Sequence, residues 1–390
     1  MNITTMPQSS KAVVNWGRFH HKVLALQGGG ALGAYEAGVY QGLAEAGLVP
    51  DWIVGVSIGA INASIIAGNS SERGIQQLRE FWDRVSARAS FMLPASLDPL
   101  RPLFNALGAA SAVAFGVPGF FSPRFPPPFM AIDGSVGALS FYDTQPLKAT
   151  LEELVDFDRI NRKETRLSLG SVNVRTGETV YFDNTKIRII PEHVMASGAL
   201  PPGFPPVNID GEWYWDGGIS SNTPLLYVVD EDDRSSAIII QVDVFSGSGE
   251  LPHNLHQVQE RTKDLQYASK TRFSSSRVKE LEELRASLRC VLDMLPQEAR
   301  SHPEAQRLAA VSKRGEVSIV RFTNRHDTCS SDFKDYEFSR ATVTELWEGG
   351  LSDVRSAIDR QAWRNAVELA RGIYVHDLTP VIPAHQEHTS

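Results

Sequence analysis

A serine placed between two glycines is the residue of this sequence best suited to nucleophilic chemistry. The segment Gly55–Gly59 (GVSIG) fits the pattern G-x-S-x-G. It overlaps a short apolar run, Trp52–Val56, that predicts a buried strand, and apolar residues over Ile58–Ala67 predict a helix directly after it. On such a strand-to-helix turn a serine hydroxyl is exposed, and the flanking glycines leave room for the backbone. The pattern therefore indicates that Ser57 is a nucleophile.

A run of glycines precedes this serine by one strand and one helix. Gly28, Gly29, Gly30 and Gly33 follow a predicted strand, Lys22–Gln27, and open a predicted helix, 31–46. Such N–H groups bind an anion, either a pyrophosphate or the oxyanion of a tetrahedral intermediate. The spacing also satisfies the dinucleotide pattern G-x-G-x-x-G, but the acid of that pattern ends the second strand, whereas Asp51 precedes it. The serine motif therefore favours the oxyanion.

A serine hydroxyl needs a base within hydrogen-bond reach, and one carboxylate is suitably placed. Asp216 follows an aromatic, strand-like stretch, 212–215 (EWYW), and is itself followed by Gly217 and Gly218. An Asp-Gly-Gly sequence is by itself more often a turn. At the end of a strand, with open backbone around it, Asp216 is a candidate for the base.

Taken together, these segments resemble the patatin-like phospholipases. Members of that family carry, in this order, a glycine-rich oxyanion loop, a G-x-S-x-G turn and a distal Asp-Gly-Gly or Asp-Gly-Ala. The same order occurs here in 28–33, 55–59 and 216–218. The segment 196–201 (ASGALP) looks like the family's block before the aspartate strand, and Asn222 and Pro224 match its usual residues after the aspartate. The resemblance covers about residues 22 to 230.

The resemblance implies a fold and a mechanism. The fold is α/β, a three-layer sandwich with a mostly parallel central sheet, here with a largely helical C-terminal extension. In the implied mechanism Ser57 attacks an ester carbonyl, Asp216 accepts its proton, and water later hydrolyses the acyl-enzyme. The N–H groups of Gly28, Gly29 and Gly30, with help from that of Ile58, form the oxyanion hole. The backbones of both motifs are supported by five further glycines: Gly33, Gly55, Gly59, Gly217 and Gly218. The substrate is a lipid or another acyl ester, and no cofactor or metal takes part.

Other functions remain open at this point. An acyltransferase would use the same residues with an alcohol or amine in place of water. A Ser-Asp-His hydrolase would add one of five later histidines, although none lies in a Gly-rich or strand-end context suited to catalysis: His253, His256, His302, His326 and His376. His193, close to the 196–201 block, is a weaker candidate for a neighbour of the site. A membrane-interaction protein with a decayed site is disfavoured because the dyad and glycine loop are intact.

Composition narrows the class of partner and the compartment. The chain has 390 residues and a formal charge of −8, which disfavours nucleic acid as a partner. Two cysteines, Cys290 (expected to be half-buried on a helix) and Cys329, are too few for a disulfide framework. No basic start is followed by a long apolar run, so no signal peptide is predicted. We expect a cytoplasmic protein, with a surface that touches lipid at the membrane periphery.

The chain divides by composition into four parts. Residues 1–21 are a tail, 22–250 the acyl-hydrolase domain, 251–378 a mainly helical extension and 379–390 a second tail. Within the domain, Phe91–Gly137 is rich in Pro, Gly and Phe and nearly free of charge. It is predicted to lack a regular helix, and it is either an insertion packed on the core or a lid facing lipid. Further predicted elements are a hairpin (166–174 and 178–182), strands 237–245 and 317–323, and helices 144–155, 253–295, 339–347 and 352–372.

Overall fold

The centre of the molecule is a mostly parallel β-sheet between two layers of helices. The computed structural model describes residues 19–86, 101–231, 236–249, 251–312, 317–325, 335–360 and 374–379. The strands are β1 (His21–Leu26), β2 (Trp52–Val56), β3 (Ser122–Pro123), β4 (Tyr142–Asp143), β5 (Arg166–Asn173), β6 (Thr179–Asp183), β7 (Val207–Ile209), β8 (Glu212–Asp216), β9 (Ala237–Asp243), β10 (Val317–Thr323) and β11 (Tyr374–Asp377).

The helices follow the strands along the chain and fill both layers. They are α1 (Gly33–Glu45), α2 (Ile58–Ala67), α3 (Ser71–Val85), α4 (Arg101–Phe115), α5 (Gln145–Leu154), α6 (Phe157–Asn161), α7 (Pro191–Ser197), α8 (Leu225–Glu231), α9 (Leu255–Met294), α10 (Gln297–Arg300), α11 (Pro303–Ser312) and α12 (Arg340–Asp359). Within the described ranges, none of them is both long and apolar enough to cross a bilayer.

The strand order explains why the predicted motifs can meet. Among the described residues, nine strands form one sheet in the order β11-β10-β9-β1-β2-β5-β8-β7, with β6 also paired to β5. Each neighbouring pair from β11 to β5 is parallel, whereas β6 and β8 run antiparallel to β5. The carboxyl ends of parallel strands share one edge of a sheet, where α/β proteins bind their ligands. The loops after β1, β2 and β9 lie together at that edge.

The two faces of the sheet bury two separate cores. Side chains alternate along a strand, so Leu24 and Leu26 of β1 point to one core and Val23 and Ala25 to the other. The first core packs under α1, α2, α3 and α12, and the second under α8 and one side of α9. The predicted three-layer α/β fold with a mostly parallel sheet is therefore confirmed.

The insertion contains a regular helix, α4, so the prediction that it has no regular helix was wrong for residues 101–115. Two properties of the sequence account for this helix. Pro102 is its second residue, where a missing N–H group costs nothing, and the run 106–114 is rich in alanine, the strongest helix former. Residues 87–100 lie outside the described ranges.

The C-terminal extension is built into the sheet and into the first core. It contributes β10 and β11, and Val317–Thr323 forms the strand that was predicted there. Two surface helices were predicted over 339–347 and 352–372, and residues 361–372 of the second prediction lie outside the described ranges. Within the described residues one continuous helix, α12, replaces them and buries one side against α1. Its Trp347 donates to Gln41 at 2.7 Å, and Tyr35 donates to its Asp353 at 2.8 Å. The expectation for Cys290 was also wrong, since it is exposed, and Cys329 lies outside the described residues.

Helices α1 and α12 approach closely because glycines lie at their contact. A Cβ atom on Gly350 would lie 2.2 Å from the carbonyl oxygen of Tyr35, and one on Gly38 would lie 1.9 Å from that of Trp347. Backbone atoms cannot move aside without separating the helices. The spacing of the two helices is therefore set by these glycines.

Substituting alanine for Gly350 should destabilise the protein by about 1–3 kcal/mol, because overpacking forces the two helices apart. Urea unfolding followed by circular dichroism measures this change. Gly74→Ala is a matched control, since its Cβ would meet its nearest neighbour, the hydroxyl of Tyr40, at an ordinary 3.5 Å. A control variant as unstable as Gly350→Ala would contradict this account of the interface.

Candidate active site

Ser57 occupies a strained turn between β2 and α2. Its φ is 58° and its ψ is −125°, a conformation that non-glycine residues rarely adopt, and its side chain is partly exposed. Its N–H group donates to the Ser197 hydroxyl at 3.1 Å, and that hydroxyl donates to the carbonyl oxygen of Gly170 at 2.6 Å. These bonds hold the turn against β5, so the block at 196–201 supports the serine from below.

The glycines on either side of Ser57 are required by close approach of backbone. A Cβ atom on Gly55 would lie 2.2 Å from the carbonyl oxygen of Gly59, and one on Gly59 would lie 2.7 Å from that of Leu26. A larger residue at either position would push the helix away from β1 or open the turn. The pattern G-x-S-x-G thus has a steric origin here.

Asp216 ends β8 at the same height in the sheet as Ser57. Val56, directly before the serine, pairs with Gly170 of β5, and the next residue of β5, Ser171, pairs with Asp216. The Asp216 side chain is buried and accepts the N–H group of Gly218 at 2.7 Å. Gly217 is confined by β5, since its Cβ would lie 2.5 Å from the carbonyl oxygen of Gly170. Strand β5 therefore lies between β2 and β8 and holds Ser57 and Asp216 at matching positions on its two sides.

Asn222 connects the glycine loop to the segment that follows Asp216. Its side-chain amide donates to the carbonyl oxygen of Gly28 at 2.8 Å, and its backbone carbonyl oxygen accepts the N–H group of Gly28 at 3.3 Å. A Cβ atom on Gly28 would lie 2.9 Å from the Cβ of Ser57 and 2.5 Å from Oδ1 of Asn222. The loop therefore passes directly beside the serine.

Ser57, Asp216 and the first three glycines of the loop line one cleft. The cleft encloses about 650 Å³ of empty space, part of which is open to solvent. Apart from the two carboxylates of Asp216 and Asp335, its side-chain lining is mainly apolar and aromatic, with these residues: Ile58, Ile61, Phe120, Phe121, Leu200, Phe204, Phe245, Tyr267, Tyr336 and Phe338. Such walls fit an acyl chain.

The C-terminal extension contributes residues to this cleft that were not predicted from the sequence. Tyr267 belongs to α9, and Asp335, Tyr336 and Phe338 precede α12. Burial raises the pKa of Tyr336, and the nearby Asp335 raises it further. The pKa of Tyr267 is also raised, by burial first and then by Asp216. Both phenols therefore stay neutral at neutral pH. No local motif marks these residues, because they reach the cleft only through the packing of the extension.

The extension also holds the glycine loop from behind. The buried hydroxyl of Thr271 in α9 accepts from the side chain of Gln27, just before Gly28, at 3.2 Å. It lies 2.7 Å from the hydroxyl of Thr223, just after Asn222. The Gln27 amide oxygen also accepts the N–H group of Val244 at 2.7 Å. One threonine of the extension thus joins both loops that flank the serine.

Substituting valine for Thr271 should lower kcat about 10-fold with little change in KM, because the glycine loop would lose its anchor while the cleft walls remain. Thr271→Ser keeps the hydroxyl and should restore kcat. Thr262→Val is the matched control, since Thr262 is exposed on the same helix and its hydroxyl bonds only within α9, to Val258. A loss of thermal stability with unchanged kcat would show that Thr271 has only a structural role.

A second anchor holds the next residues of the glycine loop. The carbonyl oxygen of Asp335 accepts the N–H group of Ala31 at 2.9 Å, and its carboxylate pairs with Lys263 of α9 at 2.7 Å. Gly30 lies against this carbonyl with a φ of 57°, and a Cβ there would lie 2.2 Å from the oxygen. Glycine at position 30 is therefore required both by conformation and by contact.

No histidine of the described residues lines the cleft. His193 is buried in α7, where its Nδ1 accepts the N–H group of Ile190 at 3.0 Å and its ring packs against Phe182. Burial lowers the pKa of His193, so it is neutral at neutral pH. His253 and His302 are exposed, and His326 lies outside the described residues.

A serine on a strained strand-to-helix turn, facing an apolar cleft at the edge of a parallel sheet, is typical of the serine acyl hydrolases. Two family models match the chain: one described as patatin-like phospholipase matches residues 24–229, and one described as patatin phospholipase matches residues 265–369. The first alone covers more than half of the chain. The chain belongs to the patatin-like phospholipase family, as its motifs indicated, and it is a lipid acyl hydrolase.

The chain is similar to several solved structures. VipD from Legionella pneumophila is 14% identical with a TM-score of 0.36, over 89% of this chain and 77% of that chain. The type III effector protein ExoU is 15% identical with a TM-score of 0.33, over 87% of this chain and 53% of its own. The ExoU–SpcU complex of Pseudomonas aeruginosa is 15% identical with a TM-score of 0.25, over 89% of this chain and 78% of that chain. No curated protein matches the chain.

Proposed function

We propose that this protein cleaves carboxylic esters of lipids through a Ser57–Asp216 dyad and an acyl-enzyme. The observation that carries the proposal is the meeting of Ser57, Asp216 and the glycine loop on one apolar cleft. The absence of histidine from the described lining favours a dyad over a Ser-Asp-His triad. The aromatic walls favour a substrate with a long acyl chain over a small polar ester.

In the first step, the Ser57 hydroxyl attacks the ester carbonyl carbon while its proton passes to the Asp216 carboxylate. The C–O bond to the alcohol then breaks, and the alcohol leaves with the proton from Asp216. Ser57 is left as an acyl ester. In the second step, water gives its proton to Asp216 and attacks that ester, which releases the fatty acid and restores Ser57. Asp216 thus serves as base and then as acid in each step.

The glycine loop would stabilise the negative charge that develops on the carbonyl oxygen. The N–H group of Gly28 is engaged with Asn222, whereas no acceptor in the described part of the chain takes the N–H groups of Gly29 or Gly30. We therefore propose these two as the main donors to the oxyanion. The N–H group of Gly28 would join them when its 3.3 Å hydrogen bond to the Asn222 carbonyl oxygen opens. The N-terminal end of α2 adds its positive dipole below Ser57.

Labelling with a fluorophosphonate probe tests the nucleophile, and mass spectrometry of the labelled peptide identifies the residue. We expect one modified residue, Ser57. A screen of phospholipids, lysophospholipids and acylglycerols of several chain lengths then identifies the substrate. Product analysis with and without an acceptor alcohol separates a hydrolase from an acyltransferase. Labelling of a different serine would refute the proposed site.

A further inference from the structure

A loop beside the cleft exposes an unusual number of apolar side chains. This loop, residues 124–141, joins β3 to β4, and we call it the β3–β4 loop. Four of its side chains are more than two-thirds exposed: Phe125 at 97%, Ile132 at 83%, Phe129 at 82% and Met130 at 69%. Val136, Leu139 and Phe141 are also exposed. A cluster of exposed apolar side chains this large marks an interaction surface.

The β3–β4 loop is ordered by its own backbone. Pro126, Pro127 and Pro128 restrict its first half, and 3₁₀ turns form at Pro128–Met130 and Val136–Leu139. At its base β3 pairs with β4, and the N–H group of Arg124 donates to the carbonyl oxygen of Phe141 at 3.0 Å. The apolar side chains are therefore held outward, and little conformational entropy is lost when they are buried.

The base of this loop is also a wall of the catalytic cleft. Phe120 and Phe121, directly before β3, line the cleft beside Ser57. The ring of Phe121 lies 4.8 Å from that of Tyr142, the first residue of β4, and 5.0 Å from that of Phe204, another cleft residue. A surface that contacts the β3–β4 loop therefore lies next to the cleft.

The charge and shape of the β3–β4 loop favour lipid over a protein partner. Its charged residues are Arg124 and Asp133, which cancel, and the Arg124 side chain is bonded at the base to Ser140 at 2.9 Å. The loop is a protrusion, which needs no matching pocket in a fluid hydrocarbon layer but needs one in a protein. Aromatic, methionine and isoleucine side chains of this kind bury favourably at the boundary of headgroups and acyl chains.

We propose that the β3–β4 loop inserts into the surface of a lipid bilayer and places the mouth of the cleft at the membrane, where a lipid ester can enter directly. This inference rests on the proposed function, because only a lipid-ester substrate would be delivered in this way. Since the side chains that enter the bilayer are apolar, binding to neutral phosphatidylcholine vesicles should be strong and should change little with salt.

Vesicle sedimentation of the inactive Ser57→Ala protein measures docking apart from catalysis. Into this protein we would introduce Phe125→Ser, Phe129→Ser and Ile132→Ser together, which should weaken binding to phosphatidylcholine vesicles about 100-fold. The matched control carries serine at three exposed apolar residues of α9: Phe273, Leu284 and Met294. The control protein should bind as Ser57→Ala does. In the active protein, the loop variant should keep its kcat/KM on a soluble butyrate ester within about two-fold but lose turnover of vesicle lipid.

Several outcomes would overturn the docking proposal. Vesicle binding by the loop variant equal to that of Ser57→Ala would do so, and so would absence of binding by Ser57→Ala itself or an equal loss in the control protein. A concentration-dependent dimer, abolished in the loop variant and seen by light scattering, would assign the surface to a second copy of the chain instead. Failure of the protein with Ser57 and an unsubstituted loop to hydrolyse the butyrate ester would refute the proposed chemistry. If vesicle binding still depended on the loop, docking would remain supported, so the two failures are distinguishable.

Discussion

Replacing Ser57 with alanine is expected to reduce ester hydrolysis by at least about 10³-fold, because the nucleophile of the acyl-enzyme mechanism is removed. The Ser57 side chain makes no capping bond to α2, so its loss should leave the fold and the melting temperature unchanged. Initial rates on a chromogenic ester, with circular dichroism of the same samples, measure both effects.

Ser287→Ala is the control for this experiment, since Ser287 is exposed on α9 and its hydroxyl bonds only within that helix, to Glu283. It should hydrolyse the ester at the rate of the unsubstituted protein. A folded Ser57→Ala protein that retained a substantial fraction of kcat would rule out the proposed nucleophile.

Asp216→Asn is expected to reduce ester hydrolysis nearly as much as Ser57→Ala does, because an amide has the shape of the carboxylate but cannot accept the serine proton. The asparagine oxygen can still accept the N–H group of Gly218, so the variant should fold.

Single alanine variants at six histidines should retain the kcat of the unsubstituted protein: His193, His253, His256, His302, His326 and His376. His193→Ala should lower the melting temperature, because the N–H group of Ile190 would lose its acceptor.

The control for the aspartate is Asp133→Asn, an exposed carboxylate of the β3–β4 loop. It should leave hydrolysis of a soluble ester unchanged. A histidine variant that is folded and as inactive as Ser57→Ala would establish a triad in place of the dyad, and the proton would then pass to that histidine.

The insertion has a part that packs on the core and a part that is exposed. Phe120 and Phe121 are buried in an aromatic cluster with Phe204 and also line the cleft. The β3–β4 loop that follows them is exposed. Deleting the whole insertion would therefore remove core and surface together, whereas substitutions confined to the loop separate the two roles.

The amino-acid sequence by itself determined the parts of the site that depend on local backbone. Ser57 lies between β2 and α2 at a φ of 58°, and Gly55 is required two residues before it because a Cβ there would meet the carbonyl oxygen of Gly59 in the same turn. This requirement acts within five residues, so the motif predicts a strand, a turn and a helix from the local sequence. Gly59 and Gly217 belong to the same motifs, but the atoms that confine them, the carbonyl oxygens of Leu26 and Gly170, are known only from the tertiary structure.

Only the tertiary structure decided how the C-terminal extension takes part. Pairing of β10 with β9 and packing of α9 and α12 bring Thr271 and Asp335 to the glycine loop, although both are far from it in the sequence. The pattern of α12 does not show that Gly350 faces the backbone of Tyr35, because both sides of a contact must be known for it to matter. Pairing partners and burial depend on the whole chain, which is why the motifs predicted the nucleophile and its base but not the residues that hold the loop beside them.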